Sequence, residues 1–153
     1  MYQSGQFIIY KALPEDWYSE DKLFGDLAKI YPSGEVLTLY TSLIHPITDA
    51  VAFAGRLGEK DLYKEGVKIS LTLHGTRGRK LNIEDGSGVP FSRDRYTAAS
   101  KLTVSGSYSI EEVIEDNLLI SNQFIMKVIS SFDYNPLPEM ILDKQRLYVS
   151  GRG

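Results

Sequence analysis

The sequence predicts an α+β fold, a mixed or mostly antiparallel sheet of about five to six strands with about three helices packed on it. Segments with strand-type alternation are interspersed with segments of helical periodicity. The chain has 153 residues, and 42% of them are hydrophobic. A chain of this length and composition is typical of one domain that buries its own core without disulfides or metal ions. We therefore expect a single domain over residues 1–153.

A strand and a helix are the first elements predicted. Residues 7–13 are rich in isoleucine and aromatic side chains, which favours a strand that ends at Pro14. Apolar residues then recur at helical spacing: Leu23, Phe24, Leu27, Ile30 and Tyr31. Acidic residues precede this pattern and residues 32–34 (Pro-Ser-Gly) end it, so we predict a helix of about three turns.

An interior strand and a second helix follow. Residues 35–44 contain many strand-forming residues with apolar groups on both faces, which predicts an interior strand. Pro46 suits the first turn of a helix whose apolar side extends to Leu57. Gly55 and Gly58 leave two alternatives open: the helix ends near Gly55, or the small residues allow close packing on the sheet.

The clearest alternation in the sequence predicts a β-hairpin with one face exposed to water. Apolar Val67, Ile69, Leu71 and Leu73 alternate with polar Lys68, Ser70, Thr72 and His74. Residues 75–78 have the glycines of a turn, and Leu81 and Ile83 resume the alternation. Residues 101–105 resemble a further strand.

A capping box predicts where the longest helix begins. Ser109 and Glu112 have the spacing at which each side chain bonds the other residue's backbone N–H. Apolar residues continue at helical spacing to Phe132, with a division into two helices at Asn117 left open. We expect this apolar side to cover the sheet formed by the segment that begins at Val67. Residues 145–149 are predicted to form a short final strand.

Composition excludes several classes of chemistry. The chain has no cysteine, which rules out disulfides, thiolate metal sites and a cysteine nucleophile. Its formal net charge of −3 gives the whole molecule no strong attraction to nucleic acid or anionic lipid. We see no export signal and no membrane span, so we expect a cytoplasmic location and no membrane partner. No cofactor is predicted.

Catalytic and metal-binding patterns are weak. The two histidines, His45 and His74, show no metal-ligand spacing, and no phosphate-binding loop or nucleophile elbow is present. A small enzyme remains an alternative hypothesis if dispersed polar residues such as His45, His74, Glu84 and Asp85 converge.

A basic region is the main candidate for a binding site. From Lys68 to Lys101 the chain has seven basic residues and only three acidic ones. The candidates for binding nucleic acid or a partner are Arg77, Arg79, Lys80, Arg93, Arg95 and Tyr96. Guanidinium groups suit phosphate contacts and tyrosine can stack on a base. The alternative is that Glu84, Asp85 and Asp94 pair with these bases within the chain.

Trp17 and Tyr18 follow a polar Pro-Glu-Asp segment, where exposed aromatic residues would mark a partner-binding surface. The sequence contains no recognisable set of catalytic residues. It therefore favours a non-catalytic interaction module, such as a small subunit or adaptor of a larger intracellular assembly. Its expected partner is another protein chain, in a homo- or hetero-oligomer. Nucleic-acid binding through residues 77–101 and the small enzyme are the alternatives.

Overall fold

The computed structural model describes residues 6–17, 34–83 and 94–151. Four strands lie in these ranges: β1 (Val36–Thr38), β2 (Val67–His74), β3 (Lys80–Asn82) and β4 (Lys101–Tyr108). The same ranges contain four α-helices: α1 (His45–Glu59), α2 (Ile110–Glu115), α3 (Asn117–Ser130) and α4 (Pro138–Val149). A 3₁₀-helix covers Pro14–Trp17 and a π-helix covers Leu39–Ile44. The fold is therefore α+β, as predicted; the helix predicted at residues 20–31 lies outside the described residues.

The strands form two separate sheets of two strands each. β1 is parallel to β3, with Leu37 opposite Leu81. β2 is antiparallel to β4 over its whole length, from Val67 opposite Tyr108 to His74 opposite Lys101. Within the described residues there are thus fewer strands than the sequence predicts, and they do not join in one sheet.

The predicted hairpin is wrong, because β2 and β3 pair with different strands. Alternation fixes which face of a strand is buried but leaves its partner undetermined. Pairing with β4 uses all eight residues of β2, whereas β3 is only three residues long. The turn between them is present, with positive φ angles at Gly75 and Gly78. The predicted solvent-exposed face of β2 is confirmed, since Lys68, Ser70 and His74 are exposed.

The predicted strand at residues 35–44 is mostly helical. Only β1 is extended, and the π-helix that follows leads directly into α1. The buried Glu15 carboxylate contributes at this junction, because it accepts hydrogen bonds from Thr38 N (2.7 Å) and Ser42 Oγ (2.5 Å). Leu39 and Leu43 are buried in the core. Strand propensity is weaker than these tertiary contacts, which local sequence does not reveal.

The predicted final strand at residues 145–149 is also wrong, since α4 covers them. Pro138 lies in the first turn of α4, a position that suits its fixed φ angle. Ile141, Leu142 and Gln145 are buried at helical spacing. The capping box at Ser109 is confirmed, with both of its hydrogen bonds formed. The long helix is divided, as the sequence left open: α2 ends at Glu115 and α3 begins at Asn117.

The core lies between the helices and the inner face of the β2–β4 sheet. Val67, Ile69 and Leu71 pack against a buried cluster that includes Phe124, Ile125, Val128 and Ile129 of α3. The rings of Tyr108 and Phe124 lie 6.1 Å apart. The prediction that this helix covers the alternating segment is therefore confirmed. No helix among the described residues is long and apolar enough to cross a membrane.

Two glycines of α1 allow close packing on α2 rather than on a sheet. A Cβ at Gly55 would lie 3.1 Å from Val113 O, and one at Gly58 would lie 2.9 Å from Tyr63 Oη and 3.2 Å from Ile110 Cγ2. The helix continues through both glycines to Glu59, so the packing gain exceeds their cost of about 1 kcal/mol each relative to alanine.

A polar network is buried among the helices. The Gln145 side chain is fully buried and donates from Nε2 to Thr48 Oγ1 (2.9 Å) and Ser121 Oγ (2.6 Å). Its Oε1 accepts from Asn122 Nδ2 at 3.2 Å. Gln145 thus joins α4 to α1 and α3, and satisfied buried amides of this kind favour one particular packing arrangement.

Gly106→Ala is expected to destabilise the fold by about 1–3 kcal/mol, because an added Cβ would overlap the half-buried Tyr108 ring, 2.6 Å from Cζ. The matched control is Ser105→Ala, on the wet face of the same strand, which should change the free energy of unfolding by less than about 0.5 kcal/mol. Urea denaturation of both variants measures the difference. Equal stabilities would contradict the packing described for Tyr108.

Candidate binding surfaces

Arg79 is part of the fold rather than of an accessible surface. Its exposed fraction is 8%. Its Nε donates to Gly75 O (2.7 Å), its Nη1 donates to Val36 O (3.4 Å), and its Nη2 forms an ion pair with Asp16 Oδ1 (2.5 Å). The guanidinium group therefore links the 3₁₀-helix, β1 and the turn before β3.

Lys80 and Tyr96 lie on either side of one carboxylate. Lys80 Nζ is 2.5 Å from Asp94 Oδ1, and Tyr96 Oη donates to Asp94 Oδ2 at 3.3 Å. The hydrogen bond from Lys80 lowers the pKa of Asp94. An exposed ion pair of this kind is screened by water and contributes little to stability. Pairing within the chain, the alternative raised for the basic region, is observed at this position.

Arg77 and Arg95 differ in their surroundings. Arg77 is exposed, and its Nε donates to Ala98 O at 3.1 Å. Arg95 donates from Nη1 to Asp133 O, and its guanidinium carbon lies 5.0 Å from the centroid of the Tyr134 ring. This is the geometry of a cation–π contact. Arg77 is thus the more accessible of these two arginines.

Trp17, Tyr18 and Arg93 are the remaining candidates for a binding surface. Trp17 is the last residue of the 3₁₀-helix. Tyr18 and Arg93 lie outside the described residues, so their part in a binding surface stays a prediction.

His45 belongs to a small polar cluster between α1 and α4. Its ring stacks on Tyr148 with centroids 3.9 Å apart, and Tyr148 Oη donates to Asp49 Oδ2 at 2.8 Å. Burial lowers the pKa of His45 below its ordinary value of 6.5; the Asp49 carboxylate raises it, and Lys11 lowers it further. The hydrogen bond to Asp49 raises the pKa of Tyr148. The cluster attaches the end of α4 to the start of α1.

The small-enzyme hypothesis stays a prediction, because two of the four residues that it names lie outside the described part of the chain. His74 is exposed at the end of β2, and Glu84 and Asp85 lie outside the described residues. Among the described residues, no group of three or more histidines and carboxylates could bind a metal ion.

An exposed apolar segment lies near the start of the described part of the chain. Residues 7–10 (Phe-Ile-Ile-Tyr) have exposed fractions of 44%, 49%, 68% and 93%. Consecutive exposed apolar residues are unfavourable in water, and such runs in a folded protein point to a functional surface. The segment is not part of any helix or strand. Its predicted strand at residues 7–13 therefore has no partner among the described residues.

A cleft of about 110 Å³ separates this segment from β2 and the start of α1. Its walls include Ile9, Lys11 and Leu13 on one side and Ile47, Leu71 and Leu73 on the other. An apolar cavity of about 150 Å³ binds benzene, so this smaller cleft has room for about one aliphatic side chain.

Sequence reasoning placed the binding site in the basic region and did not single out residues 7–10. Four consecutive apolar residues next to Lys11 were visible, but they read equally well as a buried strand. Only the structure shows that they are exposed.

Comparisons with protein-family models, curated proteins and solved structures give no significant match.

Proposed function

We propose that this chain is a non-catalytic interaction module that binds another protein chain by strand addition at residues 6–12, named here the acceptor segment. In strand addition, backbone hydrogen bonds provide affinity and pockets for side chains provide specificity. The observation that carries the proposal is an exposed apolar segment that belongs to no helix or strand and has no ladder partner among the described residues.

Unpaired backbone supports this proposal. No backbone hydrogen bond joins the acceptor segment to the rest of the described chain. Backbone N–H and C=O groups are strong hydrogen-bonding groups, and an exposed edge offers them to another chain. Residues 7–10 are also strand formers, which favours an extended conformation on pairing.

Side-chain placement supports it as well. The Phe7 ring packs edge-on against Phe53 at 5.7 Å, and Ile9 lines the cleft. Ile8 lies between these two residues and is 49% exposed. Tyr10, at 93% exposed, is available to pack on a partner.

A second copy of this chain is the partner that the segment fits. Identical extended segments pair antiparallel about a two-fold axis, which makes the interface self-complementary. Residues 6–10 carry no charge, so two copies meet there without like-charge repulsion. A homodimer is one form of the oligomer that the sequence favours.

Ile8→Pro is expected to weaken dimerisation of the full chain at least about tenfold, because proline removes a backbone donor from the paired strand. Tyr10→Asp should have a similar effect by placing charge in an apolar contact. Sedimentation equilibrium over a range of concentrations measures both. The control is Leu62→Asp, at another exposed apolar position, which should leave the dissociation constant unchanged.

Two results would contradict the proposal. One is a monomer at every concentration up to about 1 mM, where association would be too weak for a specific dimer. The other is equal weakening by Leu62→Asp, which would indicate general apolar adhesion instead of strand pairing.

A further inference from the structure

The outward face of the β2–β4 sheet has an unusual composition. Eight side chains lie on it in paired register: Lys68 with Ser107, Ser70 with Ser105, Thr72 with Thr103, and His74 with Lys101. Seven of them are exposed and Thr72 is half-buried. Not one is acidic, although the chain has 20 acidic residues and a net charge of −3. The face is therefore locally basic and rich in hydroxyl groups.

The positions of the charges on this face suit a ribbon that lies along a nucleic-acid groove. Lys68 lies at one end of the sheet, and Lys101 lies at the other end, opposite His74. His74 lies six positions after Lys68 along β2, which at about 3.3 Å per residue is about 20 Å. The major groove of B-DNA is about 12 Å wide and admits a two-stranded β-ribbon. A ribbon that enters this groove lies along it, so Lys68 on β2 and Lys101 on β4 lie beside opposite walls of the groove, where each can reach a phosphate.

The hydroxyl groups between the lysines suit the floor of that groove. Serine and threonine hydroxyls bond phosphates and can also bond the edges of any base. Thr72 and Thr103 are 3.1 Å apart at Oγ1, so the central hydroxyls are already placed by the sheet. Arg77 is exposed in the turn after β2 and adds a cation beyond the His74 end.

We propose that the outward face of the β2–β4 ribbon binds duplex DNA in its major groove, with Lys68 and Lys101 on the flanking phosphates and the serine and threonine hydroxyls facing the bases. Apart from His74 the face has no aromatic ring, and single strands are bound mainly by stacking on aromatic side chains. Duplex DNA is therefore the occupant that this chemistry fits. The site is separate from the acceptor segment and does not depend on the function proposed for it.

Fluorescence anisotropy of a labelled duplex, titrated with the full chain at several salt concentrations, tests this site. We expect dissociation constants of about 1–100 μM without sequence preference, which tighten at low salt. The double variant Lys68→Ala, Lys101→Ala should weaken binding several-fold and reduce the slope of log K against log salt by about 2, since each phosphate contact contributes about 0.9. The control Lys60→Ala, Lys64→Ala removes the same charge from an exposed turn after α1 and should bind as the parent does.

Four results would overturn the proposal. They are no binding of duplex DNA at low salt, equal weakening by the two double variants, tighter binding of the single strand than of the duplex, and binding of phosphatidylserine vesicles in place of DNA. Circular dichroism of each variant confirms that the sheet is intact.

Discussion

Arg79→Ala is expected to lower the free energy of unfolding by about 2–4 kcal/mol. We expect a smaller loss from substitution of the buried Gln145. The Arg79 substitution removes one ion pair and two hydrogen bonds that join the 3₁₀-helix, β1 and the turn before β3. Water can rehydrate Asp16, whose side chain is 39% exposed, so the loss is smaller than for a fully buried pair. Thermal unfolding should shift down by roughly 5–12 °C for a chain of this size.

Arg77→Ala is the matched control, because it removes the same charge from an exposed position two residues away. Its free energy of unfolding should change by less than about 0.5 kcal/mol. Arg79→Lys should fall between the two, since lysine keeps the charge but not the planar fork that reaches several acceptors. Equal stability of the Arg79→Ala and Arg77→Ala variants would mean that Arg79 is not a structural residue.

Gln145→Leu is expected to cost about 2–3 kcal/mol even though leucine has a similar size and is apolar. It removes the acceptor of Asn122 Nδ2 and the donor shared by Thr48 and Ser121. Asn122 still donates to Pro138 O, and Ser121 still donates to Leu118 O, which limits the loss. Urea denaturation measures it, with Gln123→Leu on the exposed side of α3 as the control.

A second substitution separates lost hydrogen bonds from altered packing at Gln145. Thr48→Val in the Gln145→Leu background removes the unsatisfied hydroxyl, and replacing both partners of a buried bond with apolar groups is nearly neutral. The double variant should therefore be more stable than the sum of the single losses indicates. Strictly additive losses would show that the network does not act as a unit.

Local signals predicted several elements correctly. The capping box at Ser109 gave the start of α2, and the apolar periodicity after it gave the helices that cover β2 and β4. The alternation from Val67 gave the wet face of β2. These features depend either on contacts between residues close in sequence or on the regular spacing of apolar residues along one segment.

Features set by distant residues were not predictable in the same way. The partner of β2 lies more than 25 residues away, and the strand-to-helix change after Thr38 involves Glu15, 23 residues earlier. Gln145 contacts Thr48 across 97 residues, and this network favours a helix where local propensity indicated a strand. For the candidate sites, the residue types around Arg79 were visible but its burial was not.

The exposure of residues 7–10 was also invisible in the sequence, since apolar strand formers usually lie inside a fold. Their exposure is the basis of the function proposed here, because an exposed apolar segment with no ladder partner among the described residues is suited to binding another strand.

Amide hydrogen exchange of residues 7–10, measured at low and at high protein concentration, tests strand addition most directly. If two copies pair through the acceptor segment, these amides become protected as the concentration rises through the dissociation constant, while amides of α3 remain protected throughout. Ile8→Pro should abolish that change. Exchange of residues 7–10 that is equally fast at every concentration would contradict the account.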